Sequence, residues 1–156
     1  MLVDALVELG RYGEATKAAQ RMVDLRPGVP SFTRVSYLFE LRGDLRGARY
    51  AMQEALKVAY SPDDKAFALF QLGELAFNAG DFETAAQHYA SGMELAPSFV
   101  PLLYGQAKAA AALGDTGQAV SRLPDRGRPA ASAWLPEGVR RPADVARPRR
   151  RGRAAT

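Results

Sequence analysis

His88 is the only imidazole in this 156-residue chain, and no cysteine accompanies it. A histidine works as a catalytic base when a nucleophile lies within hydrogen-bond reach and a carboxylate orients the ring. The nearby candidates are Ser91 and Glu83. All three fall on one stretch of helical periodicity with His88 next to the apolar Tyr89, which places the imidazole at a surface or groove edge rather than in a triad. The carboxylates have a plainer role. Asp63-Asp64, Asp44, and Asp81 with Glu83 each open an apolar-periodic segment, where a negative side chain complements the free N–H groups of a helix start. One histidine and no thiol exclude multi-histidine and thiolate metal sites, and the acids follow no calcium-loop spacing. Gly10-Arg11-Tyr12-Gly13 is not followed by the lysine-serine pair of a phosphate-binding loop. These patterns predict no catalytic residue, no metal and no cofactor, hence a protein that is not an enzyme.

The formal charge of +4 is unevenly spread. Residues 1–123 hold 12 Lys/Arg against 14 Asp/Glu, a net of −2, whereas residues 124–156 hold 9 Arg against 3 Asp/Glu, a net of +6. That last stretch also carries five Pro and three Gly, with no apolar period beyond an isolated Trp134-Leu135 and Val139. It cannot repay the entropy of ordering itself, so a disordered Arg/Pro-rich tail is expected over 124–156. Its abrupt change of composition also fits a misassembled or out-of-frame end of the coding sequence. Arg147, Arg149, Arg150, Arg151 and Arg153 have the charge to meet phosphates, but no aromatic residues interleave for base stacking, so nucleic acid is not the expected partner. Asp4, Glu8 and Arg11 break the first apolar run, and no run reaches membrane-spanning length. No signal-peptide pattern opens the chain either, and a cytoplasmic protein with no membrane contact is expected.

The elements that carry these residues follow from apolar spacings of three and four. Residues 2–9 form a short periodic segment ending at Gly10, and a second runs from Tyr12 through Ala15, Ala18, Ala19, Met22 and Val23 to Leu25 before Pro27-Gly28. Residues 31–42, with Ser31 as the expected N-cap, place Phe32, Val35, Leu38 and Phe39 on one face ahead of Gly43-Asp44. Residues 45–59 follow, then Ser61-Pro62-Asp63-Asp64 opens the stretch from Lys65 to Pro97. That stretch is two helices joined at Asn78-Ala79-Gly80-Asp81. An alanine-rich helix over about 101–113 stops at Gly114-Asp115, and an amphipathic start from Gln118 to Leu123 is cut by Pro124.

The turn glycines set a register. Gly10, Gly43, Gly80 and Gly114 lie 33, 37 and 34 residues apart. Two residues beyond them stand Tyr12, Leu45, Phe82 and Thr116, with the large ones expected to fill the turn; five beyond stand Ala15, Ala48, Ala85 and Ala119; nine beyond stand Ala19, Met52, Tyr89 and Leu123. Pro27, Pro62 and Pro97 mark the breaks between units. Small residues at a fixed place let paired helices approach closely, and hairpins repeated at this period must bury their apolar faces on one another.

A 34-residue period with G-x-[YFL]-x-x-A at the hairpin turn and a closing proline resembles the tetratricopeptide repeat. The third unit carries the likeness best, through Leu69, Leu72-Gly73, Ala76, Gly80, Phe82, Ala85, Tyr89, Leu95 and Pro97. The second follows through Phe32, Val35, Ser36, Phe39, Gly43, Leu45, Ala48, Met52 and Ala55. The resemblance covers residues 1–123, about 3 to 3.5 repeats, incomplete at both ends. It implies an all-α, right-handed α-solenoid whose first helices line a concave groove that receives a peptide or partner helix. Carried over position by position, the groove positions are Thr33, Tyr37, Glu40 and Leu41 in the second unit, Phe67, Phe70, Glu74, Phe77 and Asn78 in the third, and Tyr104, Lys108, Ala111 and Ala112 in the fourth; all but Thr33, Leu41, Ala111 and Ala112 are expected to bind. Aromatic residues of this kind anchor protein interfaces, so a protein-interaction scaffold is the expected function. Packing against the adjacent hairpin competes for the same rings, Phe67 and Phe77 above all. Two alternatives stand beside the groove: a structural piece of a larger repeat protein with its activity elsewhere, and a module that self-associates through uncovered repeat ends.

Overall fold

The computed structural model describes residues 2–115. Seven helices follow in order: α1 Leu2–Glu8, α2 Tyr12–Leu25, α3 Val29–Glu40, α4 Leu45–Val58, α5 Pro62–Asn78, α6 Phe82–Leu95 and α7 Val100–Ala112. Each helix packs on the next along the chain, and α7 also touches α5. The architecture is an all-α solenoid of helix hairpins. The start at Gln118–Leu123 and the segment 124–156 lie outside the described residues.

The four glycines that set the repeat register share one conformation. Gly10, Gly43, Gly80 and Gly114 have φ of 70°, 73°, 82° and 85°, the left-handed region that a side chain disfavours. At Gly80 the glycine N–H donates to the Phe77 carbonyl at 2.9 Å and the Asp81 N–H to the Ala76 carbonyl at 3.0 Å. The same two bonds recur at the other three glycines, so each opening helix ends in a Schellman motif that satisfies its last carbonyls. The next helix then starts at once. Asp44 accepts from the Gly47 N–H at 2.9 Å and Asp81 from the Thr84 N–H at 3.1 Å, so both aspartates are N-caps. Arg11 has no such cap to give, and its guanidinium instead forms a two-pronged pair with Glu14 at 2.7 Å.

Two local expectations change. Ser31 is not the N-cap of α3, because Pro30 suits the first turn of a helix and lets it begin at Val29. The Ser31 hydroxyl turns back and accepts from the Gly28 N–H at 3.0 Å. The large residues two places beyond the glycines do not all fill the turn. Phe82 does, meeting the Phe77 ring at 5.0 Å between centroids. Leu45 stays exposed, since the residue matching Phe77 in the second unit is Glu40 and offers it no apolar partner.

No hairpin closes its own core. The first cluster joins Val3, Leu6 and Val7 of α1 with Ala15 and Ala19 of α2, and is completed by Leu38 of α3. The second joins Ala48, Met52 and Ala55 of α4 with Leu72 and Leu75 of α5. The third joins Ala85 and Tyr89 of α6 with Leu102 and Ala109 of α7. Ala15, Ala48 and Ala85, equivalent in the register, are all fully buried at helix crossings.

Candidate functional site

The first helices of the hairpins meet in two places: α5 touches α7, and side chains of α1, α3 and α5 line one cleft on a shared face. Its α5–α7 end is built around Tyr89, which is fully buried. A Cβ on Gly73 of α5 or Gly105 of α7 would run into the Tyr89 ring, so the tyrosine reaches between two helices only because both are bare there. This gives the Leu72-Gly73 pair its physical reason. The Tyr89 hydroxyl emerges on the far side and donates to Glu74 at 2.6 Å. The other Glu74 oxygen accepts from the Lys108 ammonium at 2.7 Å. That ammonium lies over the Phe77 ring, 4.3 Å from its centroid, a cation–π contact. Burial, then the hydrogen bond to Glu74, pushes the Tyr89 phenol far above its ordinary range, so it stays a neutral donor at any working pH.

The nine residues expected to bind in a groove therefore divide. Glu74, Phe77 and Lys108 are brought together and hold one another. Phe67 packs on the second core cluster. Phe70 packs on the third, 6.2 Å from the rings of both Tyr89 and Phe99. Tyr37 and Tyr104 remain open, 47% and 45% exposed, and Glu40 and Asn78 are exposed with them. At the α1–α3–α5 end a cleft of about 280 Å³ is lined by Asp4, Thr33, Ser36, Tyr37, Glu40 and Gln71, among others. Arg34, on the same cleft, pairs with Asp4 at 3.4 Å. Partial burial raises the Glu40 carboxyl above the usual carboxylate range, and no cation acts to lower it.

That succession of hairpins has solved counterparts. The chain has the fold of MamA. One MamA structure aligns with a TM-score of 0.61 at 15% identity, over 78% of this chain and 70% of that one. A second aligns at 0.62 and 18% identity, over 78% and 65%. MamA MSR-1 C2 aligns at 0.59 and 18% identity, over 78% and 68%. The chain thus spans about two thirds of the length of these MamA structures, and at such identity what they share with it is the fold. Neither a protein-family model nor a curated protein sequence matches the chain.

His88 lies partly buried on α6, where burial first and the charge of Arg49 second lower its pKa while Asp81 opposes them. Among the described residues no group of three or more His, Asp or Glu side chains could hold a metal ion, and no helix is long and apolar enough to cross a membrane. What the linear reading missed is the polar end of Tyr89, which it took for a core residue. Two signals were present. A buried tyrosine hydroxyl needs an acceptor, and Glu74 and Lys108, of opposite charge, are separated by one repeat of 34 residues.

Proposed function

We propose that this chain is a non-catalytic scaffold that takes a peptide or helix of another protein along the face formed by α1, α3, α5 and α7. The observation that carries the reading is the pair of half-exposed tyrosines, Tyr37 on α3 and Tyr104 on α7, on the face of a solenoid of this type. Tyrosine supplies a large contact area with little rotamer freedom to lose, and is enriched among the residues that dominate binding energy. Phe67 and Phe70 support this face from beneath, so an occupant would meet a firm floor. The test is selection of peptides from a random 12-residue display library on the immobilised full-length chain. The Tyr37→Ala/Tyr104→Ala double variant should lose at least about tenfold in affinity for the selected peptides, as for anchors of this type. Equal binding by the double variant overturns the reading.

A second reading has its own observation. Leu2 and Leu9 of α1 are 68% and 69% exposed, and at the other end a cleft of about 430 Å³ opens between α6 and α7. Apolar surface open in this way among the described residues suits end-to-end association of copies. Sedimentation over a concentration series decides it: a mass independent of concentration removes self-association.

A further inference from the structure

We propose that Glu40, with the Tyr37 ring one turn before it, is a subsite for a cationic side chain, arginine or lysine, on the segment that occupies the groove. This rests on the scaffold reading and names the chemistry of the partner. On the first helices among the described residues the cations nearest the groove are already engaged. Arg34 is held by Asp4 at 3.4 Å and donates to the Pro30 carbonyl at 3.1 Å, and Lys108 is held by Glu74 at 2.7 Å. Within the cleft Asp4 and Arg34 face one another, and Glu40 makes no hydrogen bond or ion pair among the described residues. The rest of the cleft is lined by Thr33, Ser36, Gln71 and Met52.

An occupant of the cleft strips water from that carboxylate. A neutral or acidic segment would leave it buried and unpaired, which is costly, whereas a cation would pair it and remove the penalty. Tyr37 and Glu40 are three residues apart on one helix and face the same way. A guanidinium or ammonium seated on the Tyr37 ring is therefore within reach of the Glu40 oxygens, combining a cation–π contact with a charged hydrogen bond. The position that Glu40 occupies on α3 is taken on α5 by Phe77, whose ring already carries a cation, Lys108. At the α3 end no described side chain supplies that cation, and the proposal assigns it to the occupant.

The same display selection tests this, using only those peptides whose binding is lost with Tyr37→Ala, so that the groove alone is read. These peptides should be enriched in arginine or lysine at a recurring position. Glu40→Gln should weaken them by roughly fivefold, the upper range for a partly exposed ion pair. Glu94→Gln, on the outer helix α6, should leave them unchanged. Glu40→Lys should bind better to a peptide in which the recurring basic residue is replaced by glutamate. Groove-dependent peptides without basic enrichment, or basic peptides held equally well by Glu40→Gln, overturn the cation subsite and leave the scaffold reading standing. Recovery of no groove-dependent peptide overturns both.

Discussion

At the α5–α7 end of the first-helix face, Lys108 is held by Glu74 at 2.7 Å and by the Phe77 ring at 4.3 Å, whereas at the α3 end Glu40 has no counter-charge among the described residues. The register explains the contrast. Six residues before successive turn glycines stand Asp4, Tyr37, Glu74 and Lys108, so this column runs along the face of the first helices. Where neighbouring units carry opposite charges in the column, as Glu74 and Lys108 do, the solenoid neutralises itself. Glu40 stands in a different column, three residues before its glycine, where the other units carry Val7, Phe77 and Ala111 and none offers a counter-charge. Charged residues at equivalent places in a repeat thus split into those that stitch units together and those that stay available, and pairing across one period tells them apart.

The stitched end should fail first under mutation. Tyr89→Ala removes a ring wedged between Gly73 and Gly105 and also strands the hydrogen-bonding of Glu74. It should cost about 3–5 kcal/mol in chemical denaturation, the range for truncating a large buried aromatic. Tyr89→Phe keeps the ring and deletes only the hydroxyl that donates to Glu74 at 2.6 Å. A loss of about 1–2 kcal/mol is expected, because one bond to a charged acceptor disappears while Lys108 still serves Glu74. Equal losses for the two variants would show that the hydroxyl, and not the packing, holds α5, α6 and α7 together.

Lys108→Met tests the contrast from the other side. The pair is partly exposed, with side-chain exposures of 37% for Lys108 and 28% for Glu74, so stability should fall by only about 1 kcal/mol. The consequence for binding is more telling. Glu74 then becomes an unpaired acid on the same face, a second Glu40, and basic peptides should gain affinity for the α5–α7 end in a titration of the full-length chain. No gain would mean that an unpaired carboxylate on this face is insufficient to attract a cation.

The fold was legible because the rules that set it are local. A glycine at each turn, an aspartate after three of the four and a proline 17 to 19 residues beyond three of them each act within one turn of chain, and their recurrence placed the hairpins to within a few residues. The buried alanines at Ala15, Ala48 and Ala85 were readable for the same reason, since one small residue per unit at a fixed place is a packing constraint. Side-chain roles on the groove face were not equally legible. Phe70 and Tyr37 are both aromatic and both on first helices, yet one packs against Tyr89 and Phe99 and the other is 47% exposed. That difference depends on how far a side chain 19 residues onward reaches between helices, and Tyr89 reaches through only because Gly73 and Gly105 leave a gap. Helix periodicity reports the direction in which a residue points and carries no record of what arrives from the neighbouring unit.

The smallest expected effect concerns Glu40 itself, and its sign distinguishes a ligand-directed acid from a structural one. Burial raises the Glu40 carboxyl pKa in the folded chain, so over the interval just above the ordinary glutamate value the folded state binds more protons than the unfolded state. Stability contributed by this group therefore falls as pH rises from the unfolded pKa through the folded pKa. Below that window both states are protonated and the penalty is absent; above it the penalty is complete. Glu40→Gln should consequently be slightly more stable than the parent at neutral pH, with the difference shrinking to nothing as pH drops below the ordinary glutamate pKa. Paired thermal melts of the two chains across the acidic range measure this. An acid retained for a structural ion pair would show the reverse, losing stability on neutralisation. A variant that is more stable yet binds basic peptides less well would identify Glu40 as a residue whose charge costs the fold and serves the ligand.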